Sequence, residues 1–211
     1  MNQIICAGLR RSGSTWLFNI LLTLCKQTHL PAEVIKKHKL KDFTTNHTVE
    51  QKIFITIRDF REVVASCMRR NLLNQPLNQI VNDFSQVVNF KTVDSVRGFL
   101  RLEKRNFYNW KAIADLIIPY TIIESNKQQI IHHVCECLQI TADCEQIEEL
   151  VSKIEIPTQY DKATELWPNH ITHNKINVEV DPQIIEMIKN EFPEFLNENL
   201  PKEIIDTSQH K

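Results

Sequence analysis

The stretch GLRRSGSTW, Gly8 to Trp16, joins QIICA (Gln3 to Ala7), which reads as a short buried strand, to STWLFNILLTLCK (Ser14 to Lys26), whose apolar residues recur with helical period. A strand, a tight loop and a helix in that order point to an α/β arrangement around this turn. The spacing from Gly8 to Gly13, followed by Ser14 and Thr15, is that of the phosphate-binding pattern G-x-x-x-x-G-K-[ST]. Ser14 stands in the lysine position, and Arg11 sits inside the loop. In such a turn successive backbone N–H groups and the positive end of the helix dipole converge on one point, which favours an anion. Arg11 offers a charged fork, and the Ser12, Ser14 and Thr15 hydroxyls offer neutral donors. The plain alternative is that the glycines only shape a tight strand-to-helix turn, but glycine is scarce, 3 in 211 residues, and two of them fall here.

Length and charge set the limits on partners. A chain of 211 residues is long enough for one domain with a substantial core. A formal charge of −1 argues against a general binder of nucleic acid or of a membrane surface, since no net field attracts either polyanion. No apolar run reaches the roughly 18 residues of a membrane span, and the first strand begins almost at Met1, so a cytoplasmic protein is expected. The six cysteines are spaced as packed, reduced thiols, and no metal site is expected, although HHVCEC (His132 to Cys137) sets two histidines near two cysteines on one helix.

The order of elements gives the fold class. After the first strand and helix, AEVIKKH (Ala32 to His38) and KIFITIR (Lys52 to Arg58) read as strands. A helix follows from about Phe60 to Arg70, with Asp59 as N-cap and Glu62 three residues on, as in a capping box. Further helices are expected at 77–89, 93–115, 127–138, 144–153 and 182–190, and LIIPYTII (Leu116 to Ile123) reads as another strand. This alternation predicts a three-layer α/β fold of the P-loop type, with a mainly parallel central sheet flanked by helices. One domain is expected over residues 1–195, with 196–211 as a C-terminal tail. In such a sheet ligands bind outside the carboxyl ends of the strands, where Gly8 to Gly13, His38 and Arg58 all fall.

A second informative stretch is RDFREVVAS, Arg58 to Ser66: an arginine at a strand end and a hydroxyl eight residues later on the next helix. Both groups suit a phosphate. Taken alone, they also suit a solvated strand end and a small helix residue.

Together these stretches resemble the sulfotransferases that use 3′-phosphoadenosine 5′-phosphosulfate. RRSGSTW (Arg10 to Trp16) is similar to that family's 5′-phosphosulfate loop, P-K-S-G-T-T-W, with Arg11 for the lysine. RDFREVVAS is similar to the family's 3′-phosphate motif R-x-x-x-D-V-x-x-S, with Glu62 for the aspartate. KKH (Lys36 to His38) resembles the family's K-x-H. The resemblance implies that Arg10, Arg11, Ser12, Gly13, Ser14, Thr15 and Trp16 bind the donor, with Trp16 beside the adenine, and that Arg58 and Ser66 hold its 3′-phosphate. Lys175, in HITHNKI, takes the place of the family's C-terminal closing motif. His38 is implied as general base, with Arg11 and Lys36 assisting the leaving phosphate oxygen.

The implied reaction is in-line transfer of a sulfuryl group to a hydroxyl or amine of a small-molecule acceptor, with no nucleic acid and no membrane span involved. Two alternatives stay open. A P-loop kinase or nucleotide hydrolase would use Asp59 as the metal-holding acid. A nucleotide-binding module would keep the loop without the chemistry. The acceptor and the oligomeric state are not legible from these residues.

Overall fold

The computed structural model describes residues 3–38, 50–72, 90–141, 146, 149 and 178–207. The expected helices at 77–89 and 144–153, and Lys175 with its neighbours, lie outside the described residues, apart from Gln146 and Glu149. The described elements are β1 (Gln3–Gly8), α1 (Ser14–Gln27), β2 (Glu33–Lys36), β3 (Gln51–Ile57), α2 (Phe60–Leu72), α3 (Val93–Lys111), β4 (Leu116–Pro119), α4 (Tyr120–Ser125), α5 (Lys127–Leu138), α6 (Pro182–Glu191), a 3₁₀ turn (Pro193–Phe195) and β5 (Ile205–Asp206). The chain is an α/β protein with a five-stranded sheet in the order β2-β1-β3-β4-β5. The pairs β1–β2, β1–β3 and β3–β4 are parallel, and β4–β5 is antiparallel.

The chain divides into two compact units, although no linker or shift in composition marks the division. The described residues of Met1–Ile57, Asn106–Ile171 and Pro201–Lys211 form the first, and those of Arg58–Arg105 and Thr172–Leu200 form the second.

The first unit contains the sheet. Its strands read as apolar runs because both faces are covered: Ile4, Phe54 and Ile118 on one face and Ile5, Ile55 and Ile117 on the other are all buried. On the first of these faces Ile4, Cys6, Phe54, Leu116 and Ile118 join Leu17, Ile20, Leu21 and Leu24 of α1 and Ile130, Ile131 and Val134 of α5 in one apolar cluster. Each such side chain contributes about 1.5–3 kcal/mol by leaving water. The α1 residues are spaced three and four apart, so one stripe meets the sheet. Asn126 starts α5 by accepting from Gln129 N–H at 3.1 Å, and Gln139 ends it in the left-handed region.

Two expectations for this unit are corrected. The run Leu116 to Ile123 is strand only as far as Pro119; from Tyr120 it is helix, which puts Glu124 exposed on α4. The expected C-terminal tail also supplies a strand: Ile205 pairs with Ile117, and Thr207 N–H donates 2.9 Å to Asp115 O.

The second unit holds α2, most of α3, α6 and the 3₁₀ turn. Phe60 stacks on Phe195 at 4.2 Å between ring centroids and meets Phe192 edge-on at 5.4 Å. Asp181 caps α6 by accepting from Gln183 N–H at 2.8 Å, with Pro182 in the first turn where its missing N–H costs nothing. Glu191 receives both Arg97 and Arg101.

Among the described residues, no helix is long and apolar enough to cross a membrane.

Candidate functional site

Sheet topology selects one place in the first unit. From β1 the chain crosses to β2 on one side and returns to β3 on the other, so the strand order reverses at the carboxyl end of β1. A crevice at such a reversal is where open parallel sheets bind ligands. The loop Gly8 to Gly13 begins there.

Its shape comes from the backbone. Gly8, Arg11 and Gly13 have φ of 111°, 63° and 92°. Only Gly adopts such angles without strain, so Arg11 is held there against a cost of about 1–3 kcal/mol. A Cβ on Gly8 would lie 2.3 Å from Thr56 O and 2.5 Å from Thr56 N, so β1 and β3 approach too closely here for any side chain. A Cβ on Gly13 would lie 2.6 Å from Ile123 Cδ1 and 3.2 Å from Tyr120 Cδ2, which puts α4 against the loop. Turns that alternate left-handed and right-handed residues direct successive N–H groups into one concavity suited to an anion.

Thr56 was not singled out from the sequence, because a threonine in an apolar strand reads as a β-former. Fully buried, it accepts Leu9 N–H at 3.1 Å through its carbonyl. Its hydroxyl lies 2.5 Å from that of Ser12, which also donates 2.5 Å to Leu9 O. The Ser12 hydroxyl is therefore spent on the loop's own shape. Ser14, also buried, accepts Cys6 Sγ–H at 3.1 Å through its carbonyl. Where α1 begins, Leu17 N–H takes the Gly13 carbonyl at 3.1 Å, and among the described residues no N-cap side chain bonds the preceding N–H groups. Those donors, the Thr15 hydroxyl and Arg11 are the groups an anion would meet.

The end of β2 brings two more. Parallel register sets Lys36 opposite Cys6, and Lys36 Nζ donates to Thr15 Oγ1 at 2.5 Å. Although the loop lacks its own lysine at Ser14, an ammonium group reaches the start of α1 from the neighbouring strand.

His38, two residues on and partly buried, sets its Nδ1 3.3 Å from the Gly8 carbonyl oxygen. A carbonyl only accepts, so Nδ1 carries the proton and Nε2 keeps its lone pair. Burial, then the Lys36 and Arg10 charges, push the imidazole down to about 3 against the support of the Gly8 bond. It is neutral at physiological pH. Arg10 is itself buried, 5 % exposed.

Trp16 is 2 % exposed and belongs to the apolar cluster under α1, so it has no open ring face on which a base could stack. Of the residues expected in the site, the first unit brings together Arg10, Arg11, Ser12, Gly13, Ser14, Thr15, Lys36 and His38 around one loop.

Arg58 and Ser66 belong to the second unit. Both are buried, 9 % and 6 % exposed, and Arg58 Nε donates to Glu62 Oε2 at 2.8 Å. Asp59 caps α2 as expected, accepting Arg61 N–H at 2.7 Å. Glu62 does not complete a capping box: its other oxygen accepts Asn197 Nδ2 at 2.9 Å. Asp59 is completely buried and also receives Asn197 N–H at 2.8 Å and the Arg61 guanidinium at 2.5 Å. This carboxylate and that of Glu198 hold the guanidinium more firmly protonated than usual.

No family model and no curated protein matches this sequence.

Proposed function

We propose that the chain is a sulfotransferase, moving the sulfuryl group of 3′-phosphoadenosine 5′-phosphosulfate to a hydroxyl or amine of a small acceptor. The observation that carries this reading is the convergence on one phosphate loop of Lys36, through Thr15, and His38, through Gly8. Proton transfer in the reaction needs a base whose lone pair is directed, and the Gly8 carbonyl fixes the tautomer that provides one.

In the reaction the acceptor oxygen or nitrogen bonds to sulfur while the bond from sulfur to the bridging phosphate oxygen breaks. The acceptor proton passes to His38 Nε2. Negative charge collects on the departing phosphate, where the loop N–H groups, Arg11 and Lys36 stabilise it. A base titrating near 3 is weak, but the donor is a multiply charged anion. Bound at the loop, it offsets the Lys36 and Arg10 charges, which after burial hold the imidazole down, and so raises its basicity. The 3′-phosphate is assigned to Arg58 and Ser66 on their motif.

The kinase alternative needs Asp59 as a metal ligand. That carboxylate instead accepts two backbone N–H groups and the Arg61 guanidinium, which favours sulfuryl over phosphoryl transfer.

Thermal unfolding with 3′-phosphoadenosine 5′-phosphate, compared with ATP and Mg²⁺, tests the reading. At about 100 times its dissociation constant the bisphosphate contributes about 2.7 kcal/mol, an upward shift of about 5–10 °C for a chain of this length. The expected result is that shift with the bisphosphate and its loss in Arg58→Ala. A shift only with ATP and Mg²⁺ overturns the proposal in favour of the kinase. Donor binding without sulfuryl transfer to any acceptor class favours the non-catalytic module.

A further inference from the structure

One buried amide nitrogen in the first unit makes no hydrogen bond among the described residues. Asn106 is 8 % exposed, and among the described residues its Nδ2 has no hydrogen-bond partner. A buried amide donor without a partner is uncommon in folded proteins, because it has given up water and received nothing in return. Its place in the fold connects it to the base. Asn106 stands one helical turn before Trp110 on α3, and the Trp110 indole N–H donates 3.2 Å to the carbonyl oxygen of His38. Residues four apart share a helix face, and helical side chains lean towards the N-terminus, so the indole leans over the turn that carries Asn106. Asn106 therefore lies on the helix face that carries the Trp110 contact to the His38 backbone, one turn along α3 from it.

We propose that the Asn106 carboxamide is a specificity-determining donor for the acceptor, selecting substrates that carry a second oxygen, hydroxyl or carbonyl, beside the oxygen to be sulfated. This rests on the sulfotransferase reading. The acceptor presents its reacting hydroxyl to His38 Nε2 and its neighbouring oxygen to Asn106 Nδ2. An acceptor with a single hydroxyl buries the amide unpaired and is rejected, the asymmetry that lets a hydrogen-bonding site discriminate far better than an apolar one. Vicinal diols, catechols and sugar-like polyols fit this requirement, whereas simple phenols and apolar alcohols do not.

The test uses matched pairs, catechol with phenol and trans-1,2-cyclohexanediol with cyclohexanol, binding by calorimetry to the full chain saturated with 3′-phosphoadenosine 5′-phosphate. Wild type is expected to bind the two-oxygen member of each pair at least 10-fold more tightly. Asn106→Leu and Asn106→Asp are expected to abolish that preference while binding the bisphosphate as wild type does. Without ligand, Asn106→Leu is expected to unfold at the wild-type temperature or above, because it deletes an unpaired donor. Equal binding within both pairs, no binding by either, or a preference that survives both variants overturns the proposal. So does a fall of more than about 5 °C in Asn106→Leu without ligand, which marks the amide as structural. Failure of wild type to bind the bisphosphate is a separate result that overturns the sulfotransferase reading, and the unliganded unfolding of Asn106→Leu still decides whether the amide is structural.

Discussion

The turn after β1 and the turn after β3 both lead from a buried parallel strand into a helix, and they are held by different means. The first takes five residues, Leu9 to Gly13, with Gly8, Arg11 and Gly13 at positive φ, and no N-cap side chain bonds the first N–H groups of α1 among the described residues. The second takes two residues, Arg58 and Asp59, and its carboxylate occupies the helix start while Arg61 and Asn197 occupy the carboxylate. Backbone shape stabilises one and charge stabilises the other. A helix start capped by a carboxylate has fewer donors to offer and repels an anion, whereas one ordered by glycines and by Thr56 leaves its first N–H groups without a capping side chain.

The widest separation between the two turns is expected from a single methyl group. Gly8→Ala forces a Cβ to 2.3 Å from Thr56 O at a φ of 111°, and neither strand backbone can yield. A loss of about 3 kcal/mol or more is expected, read as a fall in unfolding temperature of about 6–12 °C. Wild-type stability in this variant would show that shape is not what holds the first turn.

In the second turn the sensitive change is loss of charge. Asp59→Ala removes the cap of α2, the acceptor of Asn197 N–H and the partner of Arg61. A cost of about 2–3 kcal/mol is expected by chemical denaturation. Arg97→Ala, which breaks partly solvated ion pairs in the same unit, is expected to move the midpoint far less. Equal effects from the two substitutions would remove the special role given to Asp59.

Proton linkage sharpens the comparison through an effect that appears only as pH falls. His38 titrates near 3 folded and near 6.5 unfolded, so between those values the unfolded chain binds a proton that the folded chain refuses, and stability rises with pH. The contribution is fully present above about 6.5 and is lost as pH falls towards 3. Stability measured against pH for wild type and His38→Gln should diverge across that window, with wild type the steeper. Parallel curves would mean that the imidazole is not buried beside Lys36 and Arg10.

Most of the first turn was legible in the sequence. The glycine spacing, the apolar run before it and the helical stripe after it are local signals, and β1, α1 and β3 begin and end within about one residue of where those signals put them. What escaped depends on distant partners. Thr56 looks like any strand threonine until Ser12 and Leu9 are placed beside it. The run Leu116 to Ile123 is apolar throughout, and periodicity alone does not separate strand from helix in so short a run; Pro119, extended at ψ 139°, marks the change. β5 is two exposed residues with no pattern of their own. Trp16 looked like a base platform, but its position on the apolar stripe of α1 decides its burial. Asn106 carries no signal at all in sequence, since its interest lies in an Nδ2 that has no partner among the described residues.

The contacts around the loop also have an order in time. Thr15 meets Lys36 across 21 positions and Gly8 meets His38 across 30, whereas Ser12 waits for Thr56 at 44 and His38 for Trp110 at 72. Synthesis therefore supplies Thr15, Lys36 and His38 before the strand that braces the loop exists. Closing each later contact adds little entropy cost beyond the last, but it must wait for synthesis. Lys36 and His38 are made first and braced last, so a chain halted shortly after residue 38 would carry both side chains without the contacts that give them a direction.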